Sequence, residues 1–94
     1  MFYTYILRCA DQSYYTGHTE DLETRIADHQ HGRFRGYTYR RGPVKPCWCQ
    51  DFATRYEALS AERQIKGWSR AKKEALINGD WTLLSVLARN RQDR

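Results

Sequence analysis

The sequence predicts an α+β domain: a three-stranded antiparallel sheet that opens with a hairpin and is flanked by helices. Three observations predict it. Two runs of aromatic and β-favouring residues, Phe2 to Cys9 and Tyr14 to Thr19, are separated by the turn-type residues Ala10-Asp11-Gln12-Ser13. A third such run spans Cys47 to Phe52. The remaining length carries helix start and stop signals in place of alternation.

Each helix has its own signal. Asp21 is placed to cap a helix that runs to about His31, with Gly32 as its stop. Thr54-Arg55-Tyr56-Glu57 matches the capping box, in which hydroxyl and carboxylate satisfy each other's orphan N–H groups, and starts a helix to about Gly67. Ser69 caps a third helix ending at Gly79, and Asp80 a fourth through about Arg89. Between the first helix and the third strand, Gly32 to Pro46 interleaves glycines and prolines with Arg33, Arg35, Tyr37, Tyr39, Arg40, Arg41 and Lys45, and reads as a long basic loop. The order is β-β-α-β-α-α-α. One domain over 1–89 and a polar, frayed tail over 90–94 are expected. The tryptophans, Trp48, Trp68 and Trp81, are expected in or around the core.

Charge narrows the partners. Sixteen Lys and Arg oppose eleven Asp and Glu, a formal net charge of +5 and a pI near 9.3. A basic surface concentrates polyanions, which makes nucleic acid the default partner, with an ordinary solvated surface as the alternative. Three cysteines, Cys9, Cys47 and Cys49, with strand character from Phe2 onward and no signal peptide, point to reduced thiols and a cytoplasmic location. No apolar run approaches the roughly 20 residues that span a bilayer, so no membrane partner is expected. A monomer is assumed.

Several side chains suggest chemistry. Glu62 shares its helix face with Ala58, Leu59 and Ile65. A carboxylate there is either paired with a buried Arg or Lys, or holds a hard cation through oxygen. Arg25 and His29, spaced i, i+4, project together beside the Leu22/Ile26 stripe, a pairing suited to phosphate binding and proton transfer. The basic loop alternates cations with aromatic rings, a pattern that suits single-stranded nucleic acid; its tyrosines packing back on the sheet is the alternative. Lys66 extends the basic surface. Cys47 and Cys49 share a strand face, and with His29 and His31 could bind zinc, but the pairs lack the usual loop spacing.

The segments Tyr3-Thr4-Tyr5 and Tyr15-Thr16-Gly17 resemble the paired motifs of the GIY-YIG nucleases, and Arg25, His29 and Glu62 follow at the spacing of that family. The similarity is to small, stand-alone bacterial GIY-YIG proteins and covers nearly the whole chain. It implies a GIY-YIG-like fold and a metal-dependent endonuclease using Mg²⁺ (or Mn²⁺). It further implies that Tyr5 sits near the attacking water and helps take its proton, while Tyr15 positions the water or phosphate. Arg25 would hold the phosphate oxygens, and Glu62 a single divalent ion that assists the leaving 3′ oxygen. His18 and His29 would tune proton transfer or bind phosphate. The motifs depart from the family name at Tyr3, Thr4 and Thr16, which are scaffold positions.

If Tyr5 and Tyr15 act together they must share a hairpin face. Their numbers sum to an even value, so paired residues must too, which requires an odd-length loop or a bulge. Three functions follow: an endonuclease on DNA, with single-stranded or structured DNA favoured; a catalytically silent nucleic-acid-binding module of the same fold; or a protein-interaction module gripping an acidic partner. A buried, unpaired Glu62 would favour the first.

Overall fold

The computed structural model describes residues 1–33 and 36–92. Its elements are β1 (Phe2–Arg8), β2 (Tyr14–Thr19), α1 (Leu22–Gln30), β3 (Lys45–Phe52), α2 (Arg55–Lys66), α3 (Arg70–Ile77) and α4 (Trp81–Gln92), in the expected order. The strands form one antiparallel sheet ordered β2-β1-β3. The most aromatic and aliphatic strand is therefore central, and Thr4, Tyr5, Ile6 and Leu7 are all buried.

The hairpin satisfies the parity requirement. Arg8 pairs with Tyr14, Leu7 with Tyr15 and Tyr5 with Gly17, which leaves the five residues Cys9 to Ser13 as the loop. Tyr5 and Tyr15 accordingly share one face. The loop is closed by the Cys9 N–H donating to the Ser13 carbonyl at 2.9 Å and the Gln12 N–H to the Cys9 carbonyl at 3.0 Å. Gln12 takes the left-handed conformation, φ 72. The Asp11 carboxylate accepts from the Ser13 N–H at 3.0 Å, an Asx turn that fixes the loop locally.

The caps fall where the sequence places them. Asp21 accepts from the Thr24 N–H, Thr54 from Glu57, Ser69 from Lys72 and Asp80 from Leu83, at 3.1 to 3.2 Å. Thr54 also donates to the Glu57 carboxylate at 3.0 Å. Two boundaries and one register differ. β3 starts at Lys45, not Cys47, and runs through Pro46; as an edge strand it tolerates a proline that brings no N–H. Ile6 faces Trp48 while Leu7 faces Pro46, so Cys47 is an extra residue, a bulge that breaks the simple alternation expected of Cys47 and Cys49. α4 continues to Gln92, three residues past Arg89, into the segment expected to fray.

Alternation along β1 builds two cores. Tyr5, Leu7 and Cys9 pack with Val44 from the basic loop and with Tyr15, Leu22 and Ile26. On the opposite face Ile6 packs with Ile65 and Leu76, flanked by Tyr14, Trp48, Trp68, Ile77 and Leu84. Thr4 on that face donates to the Ala58 carbonyl of α2 at 2.7 Å. Trp81 departs from expectation. It is 61% exposed, because α4 packs chiefly on α3, not on the sheet, and its first residue lies off the core.

Thr16, opposite Ile6 on β2, is buried with a hydroxyl that has no hydrogen-bond partner among the described residues. An unsatisfied buried hydroxyl costs its desolvation. Thr16→Val is expected to stabilise the fold by about 1 kcal/mol, roughly 4–8 °C in Tm for a domain of this size. Thermal unfolding by circular dichroism measures it, and a lowered Tm would mean the hydroxyl is satisfied after all.

Candidate active site

The site begins with a contact between strands. Tyr5 lies opposite Gly17, and a Cβ added at Gly17 would come within 2.6 Å of the Tyr5 hydroxyl, 2.8 Å of Cζ and 3.0 Å of Tyr15 Cε2. The glycine of the second motif thus supplies the space the first motif's phenol occupies. From there the Tyr5 hydroxyl lies 3.0 Å from His29 Nε2, and His29 Nδ1 lies 2.6 Å from Thr38 Oγ1. Tyr5, His29 and Thr38 are all buried. Arg25, one turn before His29 on α1, hydrogen-bonds Tyr5.

Tyr15 completes this cluster. Its ring centroid is 6.2 Å from that of Tyr5 and 5.0 Å from that of His29, and the two tyrosine hydroxyls are hydrogen-bonded. Tyr5 has no exposed surface, whereas Tyr15 is only half-buried. Of the two residues Tyr15 keeps exposed surface, and Tyr5 lies behind it.

Burial sets the protonation states. It raises Tyr5 well above the usual phenol range, the neighbouring Tyr15 adding to the effect and Arg25 only partly offsetting it. Tyr15 is raised chiefly by burial, with Lys66 opposing. His29 is lowered by burial and by the Arg25 charge, so its imidazole is neutral near pH 7. The Tyr5 oxygen accepts from Arg25, and the Tyr5 proton has two acceptors within reach, the Tyr15 oxygen and His29 Nε2. His29 Nδ1 in turn shares a hydrogen bond with the Thr38 hydroxyl.

Glu62 lies on the other side of the sheet edge. His18 pairs with Thr4 and so shares the α2 face, where its Nδ1 lies 2.8 Å from Glu62 Oε1. Lys66 Nζ lies 3.1 Å from Glu62 Oε2. Burial pushes the Glu62 carboxyl up, but hydrogen bonds from His18 and Lys66 outweigh it and hold the group below its ordinary value. Of the two alternatives the sequence leaves open, the structure shows the carboxylate paired, with His18 and Lys66. The two halves of the site communicate around the edge strand β2: Lys66 Nζ is 5.9 Å from the Tyr15 ring centroid, and the Glu62 charge is felt at both tyrosines.

The basic loop divides. Tyr37 stacks on Tyr15, centroids 6.0 Å apart, and the Arg41 guanidinium lies 4.0 Å from the Tyr37 ring centroid. Arg41 also donates to the Tyr37 carbonyl at 2.8 Å and pairs with Asp11 at 3.2 Å, while Arg33 pairs with Asp28 at 2.9 Å. Tyr39, Arg40 and Lys45 are exposed, Lys45 at the start of β3 opposite Arg8. Arg35 lies outside the described residues. Thr38 is the residue that sequence reasoning missed, because a threonine inside an irregular loop carries no periodicity. The Glu62–Lys66 pair was legible as an i, i+4 spacing.

Among the described residues no group of three His, Cys, Asp or Glu side chains could hold a metal, which removes the zinc alternative there. A magnesium-type ion asks less: one or two carboxylates, with water and phosphate oxygens completing its shell. An ionised carboxylate offers about four acceptor positions, of which His18 and Lys66 engage two, and Lys66 is half-exposed and able to swing aside. Glu62 fits such an ion.

Fold and site together define a nuclease-type domain, and comparison with known proteins agrees. The family model described as the GIY-YIG catalytic domain matches residues 1–75, and the chain belongs to the GIY-YIG family. It is 45% identical over 85 residues to a UPF0213 protein of Streptococcus pneumoniae serotype 4, covering 88% of this chain and 86% of that protein. It is 43% identical over 75 residues to a UPF0213 protein of Natronomonas pharaonis, covering 80% and 88%. The solution NMR structure of a UPF0213 protein from Bacillus halodurans matches with a TM-score of 0.55 at 42% identity, covering 83% of this chain and 84% of that one. The GIY-YIG domain is that of a nuclease superfamily that acts on DNA and generally uses divalent metals. No helix among the described residues is long and apolar enough to cross a membrane.

Two outcomes follow from this geometry. Gly17→Ala should push the Tyr5 phenol off its seat and cost about 1–3 kcal/mol, read as a lowered urea midpoint; an unchanged midpoint would mean the phenol relocates freely. The second concerns pH. In the unfolded chain His29 takes a proton near its ordinary 6.5, and in the folded protein only at lower pH. Between the two values the unfolded state binds more protons, so His29 contributes stability that is complete above about 6.5 and lost as pH falls. Glu62, depressed from 4.5, adds a second loss at more acid pH, as pH falls through its folded value. Urea midpoints measured from pH 7.5 to 5 should decline in the wild type and flatten in His29→Gln. Parallel curves would remove His29 as the source.

Proposed function

We propose that this protein is a metal-dependent endonuclease that hydrolyses phosphodiester bonds in DNA, with single-stranded or structured DNA favoured. One observation carries the reading. A hydrogen-bonded chain runs from half-exposed Tyr15 through buried Tyr5 to a neutral imidazole, His29, with Arg25 beside it and the Glu62 carboxylate around the strand edge.

Neither tyrosine is a base by itself, since both phenols hold their protons more tightly than usual. The chain resolves this. As the water oxygen attacks phosphorus, its proton passes to the Tyr15 oxygen, the Tyr15 proton to Tyr5, and the Tyr5 proton to His29 Nε2. No buried phenolate forms, and His29 ends as the cation. Arg25 binds the non-bridging oxygens, where charge accumulates as the P–O3′ bond breaks. Glu62 would hold the divalent ion, oriented by His18; when bound, the ion supplies Lewis acidity to the phosphate and the departing 3′ oxygen. Lys66 and the outward Tyr39, Arg40 and Lys45 contact the strand backbone and bases, with Arg33, Tyr37 and Arg41 shaping the same surface.

A silent nucleic-acid-binding module gains from one finding. Glu62 is paired on both oxygens, so its burial no longer demands a metal. The readings separate in a single assay: labelled single-stranded, duplex and branched DNA, with and without Mg²⁺ or Mn²⁺. Cleavage is expected only with metal. Tyr15→Phe should slow it about 10²- to 10⁴-fold with binding retained, the usual weight of a positioned proton acceptor, and Glu62→Ala should abolish it. Tight binding without cleavage of any substrate supports the silent module, and cleavage unaffected in Glu62→Ala removes the metal ligand.

A further inference from the structure

Thr38 is an anomaly in its segment. It is 1% exposed in a loop whose other described polar side chains lie largely in solvent. Its hydroxyl lies 2.6 Å from His29 Nδ1. The loop presents it there through a series of anchors. The Tyr39 N–H donates to the Gly36 carbonyl and the Arg41 N–H to the Thr38 carbonyl, both at 3.1 Å. The Arg41 carbonyl accepts from the Ala10 N–H at 2.8 Å, the Arg41 side chain pairs with Asp11, and Val44 is buried in the core. Thr38 is thus tied to the hairpin turn at one end of β1, while its partner histidine meets the middle of that strand.

A neutral imidazole has two tautomers, and the group on one nitrogen decides which is present. If Thr38 Oγ1 accepts from Nδ1–H, Nε2 keeps its lone pair for the Tyr5 proton. If Nε2 carried the hydrogen, it would donate to the Tyr5 oxygen beside the Arg25 guanidinium, and the Tyr5 proton would turn to Tyr15 and away from His29.

We propose that Thr38 is a positioning residue that holds His29 in the Nδ1–H tautomer. The basic loop thereby arms the proton acceptor of the site in addition to presenting cations to DNA. The tautomer is a property of the folded protein alone, and its effect on rate rests on the hydrolytic reading above.

The test uses the full-length ¹⁵N-labelled protein and long-range ¹H–¹⁵N correlation of the histidine rings, with His29 assigned by His29→Gln. Wild type and Thr38→Ser should both show His29 as the Nδ1–H tautomer. Thr38→Val, which keeps the shape and removes the hydroxyl, should shift His29 toward the Nε2–H form. In the cleavage assay Thr38→Val should lower kcat roughly 10- to 100-fold with little change in KM, and Thr38→Ser should restore it. An Nε2–H tautomer in the wild type overturns the proposal, as does an unchanged tautomer in Thr38→Val. So does a shifted tautomer that leaves kcat intact. If the tautomer responds as expected while no variant cuts DNA, the nuclease reading fails and the assignment of Thr38 to His29 stands.

Discussion

The phenol of Tyr5, seated over a glycine and hydrogen-bonded to a histidine, is the contact on which the rest of this molecule is arranged. It lies on the central strand, so it is desolvated from every side, and a desolvated hydroxyl must find partners within the protein. Each neighbour answers that demand. Gly17 clears the space, α1 turns Arg25 and His29 inward on one face, Tyr15 adds a second hydroxyl, and the basic loop folds over to satisfy the far nitrogen of His29. A polar network inside an apolar core specifies its own geometry, because any member out of place strands the others.

The charged half of the site obeys a different constraint. Glu62 lies on the opposite sheet face and reaches toward the tyrosines around β2, which is an edge strand. The ammonium of Lys66 and the imidazole of His18 keep the carboxylate ionised in a poorly solvated place. That separation puts proton-handling groups on the α1 side and charge-balancing groups on the α2 side, with the strand edge between them. Under the proposed function, a phosphodiester approaching β2 would meet both at once.

The fold was almost wholly legible, because its signals are local. Capping residues Asp21, Thr54, Ser69 and Asp80 each announced a helix, and alternating aromatic runs announced the strands. What escaped was decided by tertiary packing: β3 recruiting Lys45 and Pro46 at a sheet edge, the bulge at Cys47, and a tryptophan on a helix that packs on another helix. In the site, the i, i+4 spacing paired Arg25 with His29, and the tyrosines came from the resemblance to the paired motifs. The unequal burial of the two tyrosines was not legible, since it depends on which strand is central. Thr38 was invisible, because it lies nine positions beyond His29 and outside any helix or strand whose period would relate the two.

The five-residue hairpin turn between β1 and β2 carries a consequence for how such a chain can change. Side chains alternate strictly along paired strands, so inserting or deleting one residue there exchanges the faces of β2. Tyr15 would then point toward α2 and His18 toward α1, dismantling both halves of the site without altering one functional residue. Two residues gained or lost would preserve every facing. The turn is therefore a parity gate: this protein tolerates length changes at its tip in pairs, and an odd one survives only if a compensating bulge arises in the same event.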